Sequence, residues 1–227
     1  MIYESYYWRK ELLNISEKIT KKIEVKKNWS DSKRAKFEQE IMVGFYIIRK
    51  LMEANKLTNK LCSTSISCKI YISKHAKIKR MDRYAFFDNY ELEKPKIVKR
   101  DLKFFINQFV HSYLFIPIID LTDQESILKM DDEKISEEER IEIYENGKKE
   151  LLGIFVNSDE NKDKYLYEID VKTIIKIFQQ VGNCVITKVD MTFNPKKGDF
   201  DTIQYDGRNE LSEEVKVLID KKEQQNK

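Results

Sequence analysis

Residues 96–115, KIVKRDLKFFINQFVHSYLF, lie between Pro95 and Pro117, and the reading of this stretch decides the fold. Proline opens a helix readily and stops one, because it lacks a backbone N–H and fixes φ. A third long helix is therefore expected over about Lys96 to Phe115. At about 100° per residue, Leu102, Phe105, Ile106, Phe109, Val110 and Tyr113 share one arc, which must face a core. Arg100, Phe104, Asn107 and His111 fall on the opposite side. His111, one of only two histidines, thus shares a stripe with a guanidinium and a carboxamide. Two readings stay open. Asn107 and His111, spaced i,i+4, satisfy each other at a helix contact, or His111 is half of a chemical site.

Upstream, Trp8, Leu12, Ile15, Ile19 and Ile23 mark one face of a helix from about Glu4 to Lys26. Ser30 or Ser32 caps a second helix, about Ser32 to Asn55, with Phe37, Ile41, Phe45, Ile48 and Met52 as its apolar stripe. The two form an antiparallel pair. In TSISCKIYIS, residues 64–73, the period changes to two: Ile66, Cys68, Ile70 and Ile72 alternate with polar positions, as in a half-buried strand. Downstream, residues 120–150 are acidic and carry little apolar surface, which suits a mobile insertion or linker. LLGIFVN and KYLYEID read as strands around the turn SDENKD; Asp170 caps a helix bearing Ile174, Ile175, Phe178 and Val181, ended by Gly182. A hairpin through Val189, Met191 and Phe193 and back along FDTIQYD follows, then a charged tail from Arg208 in which LSEEVKVLI suits a last helix.

The expected fold class is α+β: an N-terminal three-helix bundle with a strand insertion, then a small antiparallel sheet with one helix. The expected parts are residues 1–119 with the strand at 64–73, an acidic linker 120–150, an antiparallel β-plus-helix part 151–207 and the tail 208–227.

A net charge of +3 hides an uneven distribution. Residues 1–119 hold 25 basic against 13 acidic side chains, an excess of twelve, whereas residues 120–150 hold 5 against 12. A basic half can hold nucleic acid by releasing counterions, although lysines on solvated helix faces give the same count. The segment Lys74–Tyr90 interleaves Lys74, His75, Lys77, Lys79, Arg80 and Arg83 with Tyr84, Phe86 and Phe87, a pattern that neutralises phosphates and stacks unpaired bases. Equally, those rings anchor a loop to the core.

Three cysteines cannot all pair with one another and show no metal-ligand spacing, so structural zinc is not expected. The N-terminus lacks a signal-peptide core, and no run approaches the roughly eighteen apolar residues of a membrane span. The expectation is a soluble, cytoplasmic protein without membrane contact. EIDVK, residues 168–172, offers the Asp-x-Lys of a metal nuclease. Asp170 is better explained as a helix cap, and Asp159 or Asp163 would have to supply the second acid. No phosphate loop or nucleophile elbow is present.

INQFVHSY, residues 106–113, resembles the signature of HEPN domains, whose motif runs Arg, a polar residue often Asn, about three residues, then His, commonly with Tyr two places on. Asn107, His111 and Tyr113 match the polar, His and Tyr positions, while Ile106 stands where the motif has Arg. The resemblance covers one helix and the preceding helical pair, within residues 1–119. It implies a dimeric, RNA-directed component of a bacterial antiviral defence or toxin–antitoxin type system, without cofactor or metal. That component is either a metal-independent ribonuclease, with Arg100 supplying the missing cation, or a catalytically inactive form. The alternative is a non-enzymatic scaffold or partner-binding subunit. The implied catalytic set is His111, Asn107, Arg100 and Tyr113, with Lys74, Lys77, Lys79, Arg80 and Arg83 contacting RNA.

Overall fold

Helices α1 (Ser5–Thr20) and α2 (Asp31–Glu53) form on the expected apolar stripes, but α1 stops six residues short of the expected Lys26, and Glu24–Val25 is extended and pairs into the sheet instead. Ser30 caps α2 by accepting the Lys33 N–H, which satisfies one of the donors that open a helix. Leu12, Ile15 and Ile19 of α1, and Phe37, Ile41, Phe45 and Ile48 of α2, are buried. Lys22, just past α1, pairs with Glu40, whereas Trp8, near its start, shares a cavity with Tyr46 and Glu53. The pair is therefore antiparallel. These elements come from a computed structural model that describes residues 2–25, 28–75, 77–79, 86–132 and 135–206. The expected last helix at 211–219 lies outside the described residues.

The stretch between the two prolines does not form one helix. After the one-turn helices α3 (Asn59–Cys62) and α4 (Phe86–Asn89), Lys96–Asp101 is a strand, β3; Leu102–Val110 is the short helix α5; and Ser112–Leu121 is a second strand, β4. β-branched Ile97 and Val98 favour extended backbone, and strand β2 (Ser65–Ile72) offers them a pairing edge, with Cys68 opposite Val98 and Ser65 opposite Asp101. Asp101 then starts α5 by accepting the Phe104 N–H at 2.7 Å. His111 ends it as the C-cap. Pro117 sits inside β4, which pairs only with β5 (Lys149–Ser158) among the described residues, so it occupies an edge strand where a missing N–H is tolerated. The expected three-helix bundle is thus replaced by two long helices and one short one.

One antiparallel sheet gathers the strands, in the order β4, β5, β6 (Tyr165–Asp170), β2, β3. The short β1 (Glu24–Val25) pairs with the start of β5, on the edge β5 shares with β6. Helix α8 (Val171–Gly182) follows β6 directly, capped by Asp170 as expected. One face of the sheet, through Ile66, Cys68, Ile70, Ile154, Val156, Tyr167 and Ile169, joins the same core as α1, α2, α5 and α8. Tyr71, Phe155, Leu166 and Leu114 form a smaller cluster on the other face with Ile78 and Tyr90. The helices approach closely. A Cβ on Gly44 of α2 would meet the Phe178 ring of α8 at 2.3 Å, and Phe45 stacks on Phe109 of α5 with centroids 4.0 Å apart.

The partition at residue 119 does not follow this sheet, because β2 pairs with β6 and β4 with β5, and both partners come from beyond the acidic segment. That segment contains two helices, α6 (Gln124–Met130) and α7 (Glu137–Asn146), neither of which buries a residue. Ser136 and Glu139 form a capping box on α7. The fully buried Lys149 donates to the carbonyls of Tyr144 and Glu145 at 2.5 and 2.9 Å, tying the end of α7 to the sheet. The last hairpin, β7 (Lys188–Asn194) and β8 (Asp199–Tyr205), is a separate two-stranded sheet. No helix among the described residues is long and apolar enough to cross a membrane.

Candidate functional site

His111 lies at the exposed C-terminal end of α5, and its Nε2 meets Nη1 of Arg49 at 3.2 Å. A guanidinium only donates. The contact therefore makes Nε2 an acceptor and places the ring proton on Nδ1. Arg49 comes from the end of α2, which packs on α5 through Phe45 and Phe109. Its Nε donates to Glu53 at 2.8 Å, one turn along the same helix. Lys50 donates to the other oxygen of Glu53, also at 2.8 Å. Lys50, and after it Arg49, hold the Glu53 carboxyl below its ordinary value. The carboxylate thereby fixes the orientation of the guanidinium that meets His111. Such exposed, solvent-screened pairs add little to stability, so packing energy alone gives little reason for the arrangement.

Around His111 the chain adds further cations. The His111 carbonyl accepts the Asp159 N–H at 3.3 Å, which places the β5–β6 turn beside it. From that turn, Lys162 bonds Asp159 Oδ1 at 2.9 Å and lies 4.8 Å from the centre of the Tyr113 ring. The Tyr113 hydroxyl donates to the Lys79 carbonyl at 2.8 Å, and Asp163 accepts the Ile78 N–H at 2.7 Å. Buried Ile78 is thus the anchor of a basic segment whose Lys77 and Lys79 are exposed. Lys74 is exposed at the end of the strand, where its N–H bonds the Asn89 carbonyl. Arg80 and Arg83 lie outside the described residues.

Other members of the expected set separate. Arg100 belongs to β3, donates to the Lys99 carbonyl and covers the Phe104 ring at 5.6 Å. The whole of α5, nine residues or about 14 Å, stands between it and His111. It does not reach the histidine. Asn107 is exposed one turn before His111, but the imidazole bonds Arg49 rather than the Asn107 carboxamide. Ile106, at the position of the motif's Arg, is buried in the core. Asp170 caps α8, Asp163 accepts from Ile78 and Asp159 pairs with Lys162, so each of the three acids of the metal-nuclease reading already has a partner within the chain. No group of His, Cys, Asp and Glu able to hold a metal occurs among the described residues.

Sequence reasoning missed Arg49, Glu53 and Lys162. The i,i+4 pair Arg49–Glu53 was visible as a spacing, but nothing in the sequence linked it to a histidine sixty-two residues away. No family model matches the chain, and neither a curated protein nor a solved structure matches it.

Proposed function

We propose that the chain is an RNA-directed component of a bacterial defence or toxin–antitoxin type system, working as a homodimer and cleaving RNA without metal. It is HEPN-like in using an Arg/His pair, with Arg49 in the role that the motif gives to its own arginine. The observation that carries this reading is the 3.2 Å contact between Arg49 and His111 at an exposed helix end, beside the turn in which Asp159 bonds the His111 carbonyl and pairs with Lys162. Metal-free phosphodiester cleavage needs a proton carrier and a cation for the charge on phosphorus. When a phosphate engages the Arg49 fork, Nε2 of His111 is released to take the proton of a ribose 2′-hydroxyl. The 2′-oxygen bonds to phosphorus, the P–O5′ bond breaks, and the leaving oxygen takes its proton from water. The products are a 2′,3′-cyclic phosphate and a 5′-hydroxyl.

His111→Ala and Arg49→Ala test the proposal directly. Each is expected to lower cleavage of single-stranded RNA by roughly two to four orders of magnitude, with chelator making no difference and the melting temperature nearly unchanged. The same contact supports a second reading, a non-enzymatic partner-binding subunit, since the histidine bonds within its own chain. Absence of cleavage by the parent protein, together with a lowered melting temperature in either variant, decides for that second reading.

A further inference from the structure

A cavity of about 470 Å³ opens beside the Arg49–His111 pair, between the start of α1 and the end of α2. It is lined by Ile2, Trp8, Tyr46, Lys50, Glu53 and Ala54. Its volume lies within the roughly 300–1,000 Å³ of small-molecule sites. Two aromatic rings stand in it partly bare, with Trp8 37% and Tyr46 46% exposed, although a tryptophan and a tyrosine would ordinarily be drawn further into a core. Lys50 reaches over the Tyr46 ring at 5.5 Å. Glu53 belongs to both places: one of its oxygens accepts from Lys50 of the cavity wall, the other from Arg49 of the candidate site. The cavity is thus one side chain away from the guanidinium.

On the RNA-directed reading, on which this inference rests, we infer that the cavity holds one unpaired base of the RNA strand, whose neighbouring phosphate lies on Arg49. Aromatic walls beside cations are what a single strand requires, since every base offers a π-face and every phosphate a charge. A duplex keeps its bases stacked on each other and has none to insert. The site therefore selects single-stranded RNA, with little dependence on which base enters, because stacking is sequence-tolerant. Charge agrees with this occupant: the cavity opens in the half of the chain that carries twelve excess positive charges.

The chain has two tryptophans, Trp8 in the cavity and Trp29 buried in the core, so fluorescence distinguishes them. Trp29→Phe leaves Trp8 as the sole reporter. The probe is a fully 2′-O-methylated single strand, which cannot be cut through its 2′-oxygen, compared with its duplex and with inorganic polyphosphate. The single strand is expected to quench Trp8 and the polyphosphate to leave it unchanged. Trp8→Ala and Tyr46→Ala should each weaken single-strand binding about 10-fold. If Trp29→Phe fails to fold, Trp8→Phe serves instead, since the quench seen in the parent protein must then vanish. Binding of the single strand without quenching, with both alanine variants binding as the parent does, overturns the base pocket and leaves the RNA-directed reading standing. Quenching by polyphosphate overturns it equally. No binding of any RNA at low salt overturns both.

Discussion

Arg49 and His111 show at the residue scale what a single helical wheel can and cannot reveal. That His111 faces away from the apolar arc was legible, because the 3.6-residue period alone places it opposite Phe105 and Phe109, and both phenylalanines are fully buried. Its cation was not legible, because the contact depends on how α2 packs over α5. The geometry also separates arginine from lysine at position 49. Arg49→Lys keeps the charge but loses the fork that bonds Glu53 and His111 together. It is expected to leave the melting temperature unchanged and to recover little of the cleavage lost in Arg49→Ala, as single-turnover rates on one RNA substrate would show.

A second residue-scale consequence concerns pH. Burial pushes the Cys68 thiol up to about 11 and the Tyr167 hydroxyl up to about 12. Tyr71 and Tyr90 are raised further, by burial first, with Tyr71 also donating its hydroxyl proton to Glu168. The unfolded chain loses these protons at lower pH than the folded one, so folding is favoured less as pH rises above about 9. The melting temperature should therefore fall steadily between pH 9 and 11 in a series of thermal scans. A melting temperature that stays level across that range would contradict this coupling.

Elements were legible wherever period and cap agreed. α1, α2, β2, β5, β6, α8 and the final hairpin stand close to their expected positions, because each pairs an apolar period with a polar boundary such as Ser30 or Asp170. The segment 96–115 misled because α5 is genuinely helical, and its strong apolar arc extends by eye into flanks that pair as strands instead. Tertiary partners decide such flanks: β2 claims Lys96–Asp101, and β5 claims Ser112–Leu121. Between elements, Gly44 permits the closest approach of α2 to α8. Gly44→Ala forces the Phe178 ring to move within a filled core and should cost about 1–3 kcal/mol by denaturant titration, despite the better helix propensity of alanine. An unchanged midpoint would mean that the ring has room to yield.

For the whole molecule, the acidic segment is decisive. Its charge showed that it would bury little, and α6 and α7 indeed bury nothing; that it would be helical was visible only in the Ser136–Glu139 capping spacing. Limited trypsin treatment should cut first at Lys129 or Arg140 on those helices, while Lys149, fully buried where the segment rejoins the sheet, stays intact. Mass analysis of the first fragments reads this out, and early cleavage at Lys149 would contradict its anchoring role.

Strand β2 lies between β6 and β3, so its two neighbours are made at very different times. A ribosome supplies β3 about thirty residues after β2 but must read on to residue 170 before β6 is complete. During that interval the edge at Lys69–Ile72 of β2 has one side without its partner, the condition under which strands of separate molecules find each other. The sequence separation of this pairing also slows closure of the sheet. A messenger truncated after codon 119 should accordingly yield insoluble product, and stalling translation there should leave the nascent chain dependent on chaperones.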